Sequence, residues 1–193
     1  MKIGYLAWGS LLWDYTQLNL KSGWIESSLQ LPLNFSRISD KGKGRLTLVI
    51  DNNSGKLNSI FISSTKINNL NKAINTLKLR EKTKKNNIGY INTKDNSSRT
   101  NLLSPEQLQS IFQLAINNNL DAIIWTDIPP NFQEITGEKI NTINALKYID
   151  NKKNKKKTFI KIIKYIFLCK IYGNINTPIS NSIIKQLLCN KLN

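Results

Sequence analysis

The run Gly4-Tyr5-Leu6-Ala7-Trp8-Gly9-Ser10-Leu11-Leu12-Trp13-Asp14 constrains this chain more than any other segment. Its apolar residues follow one another without alternation, stop at Gly-Ser and then resume. A strand buried on both faces reads this way when it ends in a sharp turn that presents backbone N–H groups. Gly9 reaches φ/ψ values closed to residues with a Cβ, so the main chain there can approach a ligand. Ser10 adds a hydroxyl able to donate or accept a hydrogen bond. Together they suit a main-chain cradle for an anion or an oxyanion. The same two residues also serve as plain punctuation between a strand and a turn, and both readings stand.

Period and punctuation lay out the rest. Met1 to Trp8 reads as a first strand, and Leu31–Ile38 and Arg45–Asp51 as two more, joined by the glycine-bearing loop Asp40–Gly44. Asn52–Gly55 turns the chain into a strand over Leu57–Ser64. From Thr65 the period becomes helical. Ile67, Leu70, Ala73, Ile74 and Leu77 make one apolar stripe with Glu81 at its C-terminal end. Ile88–Asn92 is a short strand, and Ser104-Pro105-Glu106-Gln107 opens a helix that runs to about Asn117. Asp121–Thr126 reads as a buried strand that Pro129-Pro130 stops. Helices are expected over Thr142–Ile149, Thr158–Ile171 and Pro178–Leu192, with a solvated Lys/Asn loop over Asp150–Lys157. Strands crowd the first half and helices the second, which predicts an α+β protein. The 193 residues show no internal repeat and no sharp composition break. One domain over 1–193 is expected, with a helical C-terminal extension from about 140 to 193.

Composition excludes several chemistries. The chain has no histidine, so Ser-His-Asp and Cys-His catalysis are closed to it. Cys169 and Cys189 are too few for a zinc site, and two thiols without a disulfide framework suit a reducing compartment. No cleavable leader pattern and no apolar run near the ~20 residues of a membrane span is visible. The expectation is a cytoplasmic protein with no membrane partner, metal or cofactor. The formal charge is +16, with Asn, Ile and Lys over-used. All three have A/T-rich codons, and drift accounts for the charge without a binding role. The competing reading is nucleic acid held through its phosphates. No basic strand studded with aromatics supports it, so no specific nucleic-acid partner is expected.

Four segments, in order, carry a resemblance. Tyr5-Leu6-Ala7-Trp8-Gly9-Ser10-Leu11 resembles the Tyr-Gly-Ser-Leu loop that opens the γ-glutamylcyclotransferase-like proteins, including the ChaC branch that acts on glutathione. Pro32–Arg37 resembles the family's second strand, Gly44–Asp51 its third, and Leu77–Lys82 the helix end that carries its acidic residue. Further on, Asp121–Phe132 resembles a bacterial subgroup of the same fold. The resemblance implies a small mixed or barrel-like sheet of about five to seven strands with helices packed outside. It implies a reaction in which the substrate's own α-amine attacks its γ-glutamyl carbonyl and closes 5-oxoproline. Such chemistry needs no nucleophile from the protein. It needs a base that later acts as acid, and donors for an oxyanion.

Carried over residue by residue, the resemblance assigns Glu81 as general acid/base. It assigns Trp8, Gly9, Ser10 and Leu11 as the cradle for the γ-glutamyl group. Taken alone, without the resemblance, Glu81 reads as a surface glutamate between Arg80 and Lys82 in a local salt bridge. Trp8 stands where the family has its loop tyrosine, and an indole offers an N–H but no hydroxyl. Arg37 and Arg45 lie among apolar strand residues, either as forks for a substrate carboxylate or as outward strand residues. Asp14 reads as a turn residue, and Trp125–Pro130 as a pocket wall or as a core tryptophan before a rigid turn. In the helix over 160–171, Lys161, Lys164 and Lys170 stand beside Ile and Phe. Either it packs into the core with its lysines outward, which is the expectation, or it lies on a membrane surface. The function expected is a γ-glutamylcyclotransferase-like enzyme acting on a γ-glutamyl amine or peptide. The alternatives are a small-molecule-binding protein of the same fold and a non-specific nucleic-acid binder.

Overall fold

β1 (Ile3–Ala7) is buried at all five positions, and two neighbours explain why. It pairs antiparallel with β4 (Lys56–Ser64), Tyr5 opposite Ser63, and parallel with β7 (Ala122–Thr126), Tyr5 beside Ile124. The computed structural model describes residues 1–40, 43–152 and 156–189, except for the side chains of 156–157 and 186–189. Within these lie β2 (Ile25–Ser39), β3 (Arg45–Ile50), β5 (Ile88–Asn92) and β6 (Ser97–Arg99). The helices are α1 (Leu70–Glu81), α2 (Pro105–Asn117), α3 (Phe132–Thr136), α4 (Thr142–Asp150), α5 (Lys156–Gly173) and α6 (Pro178–Cys189). The seven strands form one mixed sheet in the order β3-β2-β4-β1-β7-β5-β6, and the protein is α+β with helices around that sheet. Part of the loop expected over 40–44, part of that over 150–157 and the end of the last expected helix lie outside the described residues.

The chain gathers into two compact units. The first comprises Met1–Leu31 and Ser59–Pro129. In it β5 pairs antiparallel with both β7 and β6, and α1 and α2 both lie against β5 and β7. β7 is therefore apolar and buried from Ala122 to Trp125. The core joins Ile3, Tyr5, Ala7 and Ile124 of the sheet to Ala73, Ile74 and Leu77 of α1. The buried Tyr5 hydroxyl donates to the Ala73 carbonyl at 3.0 Å, and burial pushes its pKa up.

α1 starts later than its apolar stripe suggests. Asn69 caps it, accepting from the Lys72 N–H at 2.9 Å. Ile67 thus precedes the helix, yet it is buried in the same core. The helix closes at Lys82, which is left-handed at φ 52°. There the Lys82 N–H reaches the Leu79 carbonyl and the Thr83 N–H the Lys78 carbonyl, each at 3.1 Å. α2 opens with both halves of the capping box that its sequence announces.

The second unit comprises Pro32–Asn58 and Pro130–Asn193. β2 and β3 pair antiparallel here, with a register irregularity between Asn34 and Arg37. α5 lies against β3, α4 and α6. Asn131 holds the β2 backbone at Ile38 from both sides, accepting from its N–H at 2.7 Å and donating to its carbonyl at 3.2 Å. Among the described residues, no helix is long and apolar enough to cross a membrane.

Candidate functional site

The Gly-Ser turn is fixed by what it buries. After β1, Trp8 stays extended, Gly9 takes φ 58°, and Gly9–Leu12 form one short 3-10 turn. Trp8, Leu11 and Leu12 sink into the core at 6%, 3% and 7% exposure. What the turn presents is therefore main chain and the Ser10 side chain. As N-cap, Trp8 supplies the carbonyl for the first i→i−3 bond, whose donor is the Leu11 amide; the Gly9 and Ser10 N–H groups start the turn. The glycine is needed because its φ lies in the left-handed region. Further along, the Leu11 carbonyl is taken by the Trp24 indole N–H at 3.0 Å.

Arg80 ties this turn to the end of α1. Its side chain is only 8% exposed. Nη1 donates to Ser10 Oγ at 3.2 Å and to Glu81 Oε1 at 2.5 Å. Nη2 donates to the Ser10 carbonyl at 3.0 Å and the Asp14 carbonyl at 2.7 Å, and Nε donates to that same Asp14 carbonyl at 3.0 Å. The Asp14 carboxylate stands 3.4 Å from Nη2 and is 71% exposed. The Glu81 side chain is 18% exposed, half-sheltered beside the turn. One guanidinium thus joins three segments of chain and faces two carboxylates, a strong arrangement because every bond is charge-assisted.

Trp8, Gly9, Ser10, Leu11 and Glu81 all belong to the first unit, and of these the Arg80 side chain bonds Ser10 and Glu81. Arg37 and Arg45 belong to the second unit, each engaged there. Burial lowers the pKa of half-buried Arg37, and the charges of Asp40 and Glu134 oppose that shift. Arg45 lays its guanidinium 4.1 Å from the centre of the Tyr165 ring, and its buried Nε has no hydrogen-bond partner among the described residues. Trp125 is a core residue, fully buried, with its indole N–H on Asp127 Oδ1 at 3.2 Å. Among the described residues, no three Asp, Glu or Cys side chains form a group able to hold a metal ion.

In the sequence Arg80 stands out only as a neighbour of Glu81. A signal was available. The stripe Leu70, Ala73, Ile74, Leu77 continues at i+3 and i+4 to Arg80 and Glu81, so both leave α1 on its buried side. Compared with family models, with curated proteins and with solved structures, the chain matches none.

Proposed function

We propose that the protein is a γ-glutamylcyclotransferase-like enzyme, with the barrel-like fold of that family, releasing 5-oxoproline from a γ-glutamyl amine or peptide. One observation carries this reading. Ser10 and Glu81, singled out from opposite ends of a long stretch of sequence, share the Arg80 Nη1 donor, at 3.2 and 2.5 Å. In the proposed step Glu81 takes a proton from the substrate's α-ammonium. The freed amine attacks the γ-carbonyl carbon, and the carbonyl oxygen gathers charge toward the Gly9 and Ser10 N–H groups. The C–N bond then breaks as Glu81 returns that proton to the departing nitrogen, and the ring nitrogen gives up its second proton to the released amine, leaving 5-oxoproline as the neutral lactam and the amine as its ammonium. Oxidant, reductant and metal play no part in the balance.

The ion pair also supports a second reading. One Glu81 oxygen is already bonded to Arg80, which suits a fixed structural carboxylate in a small-molecule-binding protein. A panel of γ-glutamyl amines, glutathione included, separates the two. For the enzyme, 5-oxoproline accumulates and Glu81→Gln lowers its rate by roughly 10²–10⁴. Equal turnover by both proteins removes Glu81 from the chemistry. No product from any substrate, with a thermal shift by one of them, leaves the binding protein.

A further inference from the structure

The second unit carries a face that this chemistry does not use. α5 turns Thr158, Ile162, Tyr165, Ile166, Cys169 and Gly173 inward, and all are buried. On its other side Ile160 and Phe167 are each 52% exposed and Ile171 is 59% exposed. With Lys164 they occupy the i, i+4, i+7 and i+11 positions of a single helical stripe. Lys164 is exposed within it and Lys161 is exposed on its flank. The sequence expects a core-packing helix with lysines outward. The lysines are outward, but large apolar side chains stand among them on one helix face, and exposed apolar groups aligned in that way mark a contact surface.

Charge selects the occupant. A two-fold contact with a second copy would bring Lys161 and Lys164 against a matching basic face, in a chain whose formal charge is already +16. An anionic bilayer instead accepts the apolar stripe at its acyl boundary and the ammonium groups at its phosphates. We infer that α5 docks in the plane of an anionic lipid bilayer, inserting Ile160, Phe167 and Ile171 and pairing Lys161 and Lys164 with headgroup phosphates. From Ile160 to Ile171 the stripe extends ~16 Å along the helix, at about 1.5 Å per residue. The helix lies along the surface rather than through it, in keeping with the lack of any spanning helix among the described residues.

Flotation of the full chain with vesicles tests this, comparing phosphatidylcholine alone with mixtures containing about one-third phosphatidylglycerol. Binding is expected to the anionic vesicles and to weaken as salt is raised. The double variant Phe167→Ser, Ile171→Ser should bind at least about tenfold more weakly. Because both residues are exposed, its thermal unfolding should match that of the unaltered chain. Lys161→Gln and Lys164→Gln should each cost about fivefold. The inference is overturned if the full chain stays unbound with anionic vesicles, or if the serine variant binds as well as its parent. A dimer in solution that the same serines dissolve would also overturn it, since the face would then cover a second copy. Equally tight duplex-DNA binding, indifferent to the serines, would reduce the effect to bare charge and overturn it too.

Discussion

Arg80 and Ser10 stand 70 positions apart in the chain, and the guanidinium holds Ser10 at two points, the hydroxyl at 3.2 Å and the carbonyl at 3.0 Å. With Glu81 and the Asp14 carbonyl also on the fork, Arg80 becomes the joint between the Gly-Ser turn and the C-terminus of α1. A lysine there brings one point charge and cannot serve four acceptors spread around a plane. Arg80→Ala should lower the unfolding free energy by about 2–4 kcal/mol, since it removes charge-assisted bonds and leaves Glu81 without its partner. Arg80→Lys should recover less than half of that. Urea unfolding measures both, and a lysine variant as stable as its parent would show that charge alone, not the fork, makes the joint.

Gly89 faces Trp125 across the β5–β7 pair. The tryptophan ring lies so close over that strand that a Cβ on Gly89 would stand 2.6 Å from Trp125 Cζ2 and press on the indole nitrogen as well. The ring is fully buried and anchored to Asp127, so it has little room to yield. Gly89→Ala should therefore cost about 1–3 kcal/mol by overpacking, despite the entropy that alanine saves in the unfolded chain. Thermal unfolding of the variant checks it. A neutral or stabilising result would mean that the ring moves freely.

Where the sequence carried a period, it predicted the fold closely. The stripe of α1, the capping box at Ser104 and the apolar runs of β1, β3, β4 and β7 each announce their element because one physical cause dominates. β2 is longer than expected, Ile25–Ser39 rather than Leu31–Ile38, because its first six residues are largely exposed and show no apolar run. β6 is Ser-Ser-Arg and α3 has five residues, both too polar or too short for periodicity to register. Of the candidate site, the Gly-Ser turn was legible from its composition. The α1 stripe places Arg80 on the buried side of the helix, but its partners in the turn are not legible, because the Ser10 hydroxyl and the Ser10 and Asp14 carbonyls come close to it only by folding. The lines between the two compact units fall inside β2, at Leu31–Pro32, inside β4, at Asn58–Ser59, and between Pro129 and Pro130; the first two lie within continuous strands, where composition does not change.

Cys169 is fully buried, and its thiol is pushed up to about 12. Burial is the main cause; the Tyr165 hydroxyl and the charge of Arg45 pull weakly the other way. Since the thiolate is the reactive form, this sulfur should resist a disulfide reagent at neutral pH. In a Cys189→Ser variant, native protein should show almost no labelling over the time in which urea-unfolded protein labels completely. Fast labelling of the native variant would mean that α5 opens readily enough to release Cys169.

Asp127 makes stability depend on pH, and the direction follows from its surroundings. The residue is fully buried. Burial raises its pKa, while the Asn101 N–H, the Trp125 indole, the Thr100 hydroxyl and the Arg99 charge act in the opposite sense without cancelling it. The folded protein therefore keeps the Asp127 proton to higher pH than the unfolded chain, whose aspartates titrate near about 4. Between that value and the raised one the folded state holds more protons, so the stability contributed by Asp127 falls as pH rises. It is fully present only below the unfolded pKa. Asp127→Asn has no proton to exchange, and its amide turns a donor toward one of the N–H groups that the carboxyl accepts. The variant should be less stable than its parent at acid pH, and the difference should narrow as pH is raised from about 3.5 toward 7. Urea unfolding of both proteins across that range reads the difference directly, other titrating groups cancelling between them. A gap that widens with pH would mean that the hydrogen bonds to Asp127 outweigh its burial and that it is held charged in the folded state.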